Sequence, residues 1–178
     1  MKAWSLLGNS QKLDGGAMFG NAPKAMWENW VSVDAQNRID LACRTLLVDG
    51  LNGKRVLFET GVGAFFEPKL RERFGIQEAE HVLLNGLSEI GLTDADIDVV
   101  VLSHLHFDHV GWNTRLEDGK WVPTFPNARY LFCRAEYDGW MAEPGGYAWN
   151  LPDTVAPVVD AGLVDLVDPD HRVTSEIR

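Results

Sequence analysis

Cysteine is scarce in this chain: Cys43 and Cys133 are the only two in 178 residues, too few for a disulfide-stapled scaffold. Both stand in apolar, strand-like surroundings, Leu41-Ala42-Cys43 and Leu131-Phe132-Cys133, which suits buried free thiols in a reducing compartment. Positive charge is also short. Lys and Arg number 16 against 26 Asp and Glu, a formal net charge of -10, and binding to nucleic acid or an anionic membrane surface needs the opposite balance. No apolar run reaches the ~20 residues of a membrane span. The start, Met1 to Gly8, has one charge and too brief an apolar stretch before Asn9-Ser10-Gln11-Lys12 to act as a signal peptide. These absences predict a cytoplasmic protein with no nucleic-acid or membrane partner. Internal repeats, low-complexity tracts and linker-like charge blocks are missing too, so residues 1–178 read as one domain.

What is present is a hydrophobic content of 46%, enough to build a core. Period-two alternation through Ile39, Leu41, Cys43, Thr45 and Leu47 predicts a strand with one face covered, after an earlier strand over Lys2 to Leu7. Asp49-Gly50-Leu51-Asn52-Gly53 is a turn by composition, and Lys54 to Glu59 reads as the returning strand of a hairpin. Pro68 at a first-turn position predicts a helix over Glu67 to Phe74, and a second is expected over Ala79 to Ile90, closed by Gly91. Thr93 with Asp94 and Asp96 caps a short turn into Ile97-Asp98-Val99-Val100-Val101-Leu102, a β-branched run that fits an internal strand covered on both faces. Further on, Asn113 to Phe125 is expected to be a polar loop and Ala128 to Cys133 a strand. Glu136 to Trp140 starts a helix, Thr154 to Ala161 is a short helix, Leu163 to Val167 a strand, and His171 to Arg178 the beginning of another alternating segment.

Histidine is rare as well, five in all, yet three of the five fall within six positions. The stretch Ser103-His104-Leu105-His106-Phe107-Asp108-His109 follows directly on the apolar strand, where a rigid element holds polar groups toward a cleft. In extended chain, residues two apart point the same way, so His104 and His106 present their imidazoles to one metal. Asp108 and His109 can serve a second once the chain turns. Imidazole and carboxylate donors suit zinc, with manganese, iron or cobalt as substitutes. Two such ions about 3.5 to 4 Å apart can hold and ionise a bridging water, so the pattern points to hydrolysis by a metal-bound hydroxide.

The run His104-x-His106-x-Asp108-His109 after an apolar strand resembles the central motif of the metallo-β-lactamase-fold hydrolases. Glu59-Thr60-Gly61 stands where that family usually has an Asp-Thr-Gly-like turn. The resemblance implies an α/β fold, the αβ/βα sandwich, of which this chain would be the N-terminal half to two-thirds, with one or two metals. It implies His104 and His106 as ligands of a first metal, Asp108 and His109 as ligands of a second, and Asp108 as the catalytic group assisting proton transfer. Asp14 to Gly20 with Pro23-Lys24 and Trp27, Gly111 to Thr114 and Pro123 to Ala128 are similar to the branch of N-acyl-homoserine lactonases and organophosphate-hydrolase-like enzymes. That branch implies a small-molecule lactone or other ester as substrate, with Met18, Phe19, Trp27 and Trp112 forming an apolar wall for an acyl chain. A thioesterase or phosphotriesterase of the same superfamily is the alternative within enzymes. A non-catalytic metal-binding remnant is the alternative outside them.

The family also supplies a third histidine to the first metal, a bridging aspartate and a final histidine, and none of these is identifiable in the sequence. His171 reads as a residue of the surface turn Asp168 to Arg172, and His81 as an ordinary helix-surface residue. The expectation is therefore a C-terminally incomplete domain that exposes apolar sheet surface, which leaves room for a homo-oligomer.

Overall fold

The computed structural model of the chain describes residues 1–64, 66–142 and 149–173. Strands β1 (Lys2–Asp14) and β2 (Arg38–Leu51) pair antiparallel, and both run longer than the alternation alone predicts. Along β2, Ile39, Leu41, Cys43, Thr45 and Leu47 point inward while Asp40, Ala42, Arg44 and Leu46 face out, the period of two expected of a half-covered strand. The register of β1 slips between Leu7 and Ser10, where Asn9 takes a φ of 71°. Between the two strands the chain makes an excursion through α1 (Gly15–Phe19), capped by the Asp14 carboxylate on the Ala17 amide, and α2 (Lys24–Trp27).

Asn52 and Gly53 both have positive φ, the signature of the tight turn that suits strand twist, and it leads into β3 (Lys54–Phe58). Helix α3 (Pro68–Phe74) has Pro68 in its first turn, as predicted, and ends at left-handed Gly75. Helix α4 (Val82–Glu89) starts later than the expected Ala79, because His81 rather than an upstream residue caps it. Thr93 caps the short turn as expected, through a capping box with Asp96, before β4 (Val99–Val101). The metal-motif helix α5 (Phe107–Val110) follows.

Asn113 to Phe125 is not a loop: Asp118 and Gly119, both at positive φ, turn a hairpin of β5 (Thr114–Glu117) and β6 (Lys120–Pro123). Its strands are too short and polar to show alternation. After it come β7 (Arg129–Cys133), α6 (Arg134–Ala142), α7 (Leu151–Thr154), α8 (Ala156–Asp160) and β8 (Val164–Val167). The expected helix over Thr154 to Ala161 is thus two short ones. The described part of the last expected segment, His171 to Val173, holds no strand; residues 174–178 lie outside the described residues.

The main sheet runs β1-β2-β3-β4-β7-β8, with β3, β4, β7 and β8 parallel. β4 is internal, as its apolar sequence requires. Its alternation splits the core: Val100 joins Leu57, Leu83, Leu87, Trp112, Tyr130 and Val158 on the helix-covered face, while Val99 joins Val48, Val56 and Leu131 on the other. That second face is better covered than expected. Its central residues are buried, and Leu46, at 44% exposed, is the main exception on it. Among the described residues no helix is long and apolar enough to cross a membrane, and Cys43 and Cys133 are free, half-buried thiols.

Candidate metal centre

β4 delivers the chain to the site. Leu102 still donates to Leu131 O over 3.2 Å, and the Ser103 amide then leaves the sheet ladder for the Glu59 carboxylate, 3.0 Å away. His106 is the last extended residue (φ -68°, ψ 150°) before α5 begins. That switch from period two to helical period folds Asp108 and His109 back beside His104. The His104 and His106 rings lie 4.7 Å apart between centroids, and the His104 and His109 rings 3.9 Å. His109 Nε2 is 3.9 Å from Asp108 Oδ2.

Three distant elements fix these side chains. Glu59, at a φ of 64°, places one carboxylate oxygen on the Ser103 amide and the other 3.1 Å from His109 Nδ1. Gln11, 1% exposed on β1, donates from Nε2 to Asp108 Oδ2 over 3.2 Å. Glu136 on α6 accepts from the Leu105 amide at 2.8 Å and from Trp140 Nε1 at 3.1 Å, and Trp140 meets the His106 ring edge to face at 5.8 Å. The loop after β3 is pressed against α5: Thr60 N donates to His109 O, and Gly111 N to Gly61 O. Only glycines allow that approach, since a Cβ on Gly111 would lie 2.1 Å from the Val62 carbonyl, and one on Gly61 (φ 73°) 2.2 Å from Gly8 O.

Charge follows geometry. Burial, reinforced by the neighbouring His109 and His106, holds the His104 imidazole below its ordinary pKa. Burial also works against protonation of His109, yet the carboxylates of Glu59, Asp108 and Glu136 outweigh it and hold its pKa above the ordinary value. Burial, with the nearby charges of Asp108 and Glu78, pushes the Cys43 thiol up to about 12, so it stays protonated and is a poor ligand.

The motif residues are thus gathered in one place as a row of donors. Among the described residues, no three His, Cys, Asp or Glu side chains converge on a single point at metal-ligand distance. The donor chemistry nonetheless fits a borderline divalent cation. Two ligand atoms on a tetrahedral zinc with bonds of ~2.1 Å stand ~3.4 Å apart, close to the 3.9 Å between His109 Nε2 and Asp108 Oδ2. Glu59 Oε2, 3.1 Å from His109 Nδ1, stands where an outer carboxylate stands beside the imidazole in known metal sites.

The aromatic residues expected to form an acyl wall are placed differently. Met18 is 47% exposed on the excursion, and Phe19 stacks on the buried Trp27 at 5.0 Å. Trp112 is a core residue with no exposed surface, donating from Nε1 to Asn9 Oδ1, so it lines no cleft. His81 is not a helix-surface residue: it accepts from Leu84 N through Nδ1, stacks on Trp112, and burial pushes its pKa down to about 3. His171 sits in an exposed turn, its amide on Asp168 O. Other aromatic side chains line a cavity beside the motif. Phe107, inside the motif itself, joins Phe66, Trp121 and Trp149 around a cavity of about 300 Å³. Phe107 was readable from its place between two donors, whereas Gln11, Glu136 and Trp149 give no local signal.

Comparison with known proteins agrees with this architecture. Residues 38–174 match the sequence pattern of the metallo-beta-lactamase superfamily. A probable metallo-hydrolase of Methanocaldococcus jannaschii is 36% identical over 61 residues, covering 34% of this chain and 26% of that protein. A probable metal-dependent hydrolase from Staphylococcus aureus superposes with a TM-score of 0.83 at 25% identity, over 98% of this chain and 61% of its own. AidC, a dizinc quorum-quenching lactonase, superposes with a TM-score of 0.64 at 22% identity, over 96% of this chain and 59% of its own. The chain thus spans about three-fifths of the length of these solved structures. With the family pattern covering most of its length and the donor row at the expected strand end, the chain belongs to the metallo-beta-lactamase superfamily.

Proposed function

We propose that the chain carries the first part of the metal site of a metal-dependent hydrolase acting on a lactone or other small ester. The observation that carries this reading is the turn at His106, which sets three imidazoles and one carboxylate side by side, with His109 between Glu59 and Asp108. His104 and His106 would hold a first ion and Asp108 and His109 a second, zinc being the best match and manganese, iron or cobalt the substitutes. Such ions supply an activated water and polarise the carbonyl that it attacks. The chain's own residues do the rest. Glu59 and Gln11 would hold the ligand orientations, Asp108 would take and return a proton, and the cavity beside Phe107 would shelter a non-reacting substrate arm from water. In this reading residues 1–178 act as one domain, and the net charge of -10 favours neutral or cationic small molecules over nucleic acid.

A second reading, a non-catalytic metal binder, is favoured by one observation: no three donors among the described residues meet at a point. The two separate on metal content and turnover. Zinc-loaded protein that cleaves a lactone in a panel with thioesters and phosphotriesters supports the hydrolase. Bound zinc with no turnover of any of them supports the binder.

A further inference from the structure

We propose that the cavity beside Phe107 is a recognition site for an alkylammonium group, carried on the non-reacting arm of the substrate. The binding stands on the cavity alone; its link to turnover rests on the hydrolase reading above. The cavity, about 300 Å³, is at the lower end of the about 300 to 1,000 Å³ common for small-molecule sites. Three of its rings are mutual neighbours set at different tilts. Phe66 and Phe107 have centroids 6.2 Å apart at 86°, Phe66 and Trp149 5.9 Å apart at 59°, and Phe107 and Trp149 5.9 Å apart at 37°. Trp121 completes the lining.

An acyl chain would be satisfied by rings alone. This cavity adds two carboxylates, Glu67 and Asp153, and no Lys, Arg or His among its described lining residues. Carboxylates beside aromatic faces, in a chain with ten more acidic than basic charges, are the surroundings that draw a weakly hydrated cation from water. Asp153 is the better evidence of demand. Partial burial holds its carboxyl above the ordinary pKa even though the Trp121 side chain donates to it, so it lacks the compensating charge that a bound cation would bring. The aromatic group already engages one cation on its outer side, where the Arg73 guanidinium lies 5.5 Å over Phe74, itself stacked on Trp149.

The cavity also reaches the chemistry. Phe107 lies between His106 and Asp108, and Gly111 closes the same turn. A substrate arm held there is attached to a reacting group within a residue's reach of the donor row.

The test uses the full chain and two probes of the same shape, choline and its uncharged carbon isostere 3,3-dimethylbutan-1-ol, with binding followed by tryptophan fluorescence and ligand NMR. Choline is expected to bind at least about fivefold more tightly than the isostere. The double variant Glu67→Gln/Asp153→Asn is expected to weaken choline about tenfold and leave the isostere unchanged. Glu67 is exposed and Asp153 only partly covered, and both replacements keep the side-chain shape and an acceptor oxygen, so the fold is retained. Equal or tighter binding of the isostere, or an unaltered double variant, overturns the proposal. Esters of the two alcohols, assayed with zinc-loaded protein, keep the readings apart. Turnover without preference for the choline ester sinks the ammonium site alone, and selective choline binding without turnover of either ester sinks the hydrolase reading alone.

Discussion

Gln11 reaches across 97 positions of sequence to donate from Nε2 to Asp108 Oδ2 over 3.2 Å. The amide is buried, and its side-chain partners are the Asp108 carboxylate and the Cys43 thiol. A hydrogen bond of this kind sets which carboxylate lone pair faces the imidazoles. Replacing Gln11 by Leu should weaken zinc binding about 10-fold to 100-fold, the usual consequence of losing an outer partner of a ligand. Glu at the same position places a second carboxylate against Asp108 and should be worse than Leu. Competition with a zinc-sensitive dye measures both, and equal affinity in wild type and Gln11→Leu would remove Gln11 from the site.

Gly111 and Gly61 make the second dependence. A Cβ at 111 would overlap the Val62 carbonyl, which cannot rotate away, so Gly111→Ala must push the loop after β3 off the α5 turn. The expected loss is about 3 kcal/mol in a urea titration, at the upper end for overpacking because the obstacle is backbone. Thr60 and Glu59 ride on that loop, and His109 depends on both, so zinc affinity should fall in the same variant. Gly119→Ala, with nothing near its Cβ, is the control: a left-handed turn residue whose change should cost only about 1 kcal/mol.

The donor row was legible because its cause is local. Apolar strand, alternate histidines and a change of period are all written within positions 97 to 110. The first hairpin was legible for the same reason, since Asn52-Gly53 supplies the left-handed pair that a tight turn needs, whereas Asp118-Gly119 supplies the same pair between strands too short and polar to show alternation, so that segment reads as a loop. What stayed hidden depends on pairs far apart in the chain. Nothing near Trp112 says that Asn9 will take its indole N–H, or that His81 will lie flat on it at 3.2 Å. A tryptophan in a core and one in a cleft look alike in sequence, so Met18, Phe19, Trp27 and Trp112 are the expected wall, while nothing local to Phe66 or Trp149 marks them as cavity-lining residues.

His81 gives a pH dependence that can be signed. Its pKa falls from the ordinary 6.5 to about 3 in the folded chain, chiefly through burial, so the fold holds it neutral. The unfolded chain takes up the proton first as pH drops. Stability linked to His81 is therefore complete above about pH 6.5 and is lost as pH falls from there toward 3, at a rate of up to about 1.4 kcal/mol per pH unit. His81→Asn keeps an acceptor for the Leu84 amide but does not titrate, and should flatten this part of the profile. Urea midpoints of both proteins at pH 7, 5.5 and 4.5 decide it, and parallel curves refute the assignment.

The ligand assignment itself is open to removal and return of metal. After chelation and dialysis, cobalt added to the wild-type chain should give visible d–d bands, because imidazole and carboxylate donors in low symmetry make them intense enough to see. His106→Ala removes a donor that no neighbour can replace, since the closest other imidazole, His104, is itself part of the row at 4.7 Å. It should weaken uptake by more than about 100-fold, beyond the loss expected for an outer partner. Asp108→Asn keeps the shape and the Gln11 contact but not the charge, and should shift the bands before it abolishes them. His171→Ala touches an exposed turn and should change nothing. Wild-type uptake by His106→Ala would contradict the motif's role outright, and loss of uptake in His171→Ala would mean that the first ion recruits a histidine from beyond β8.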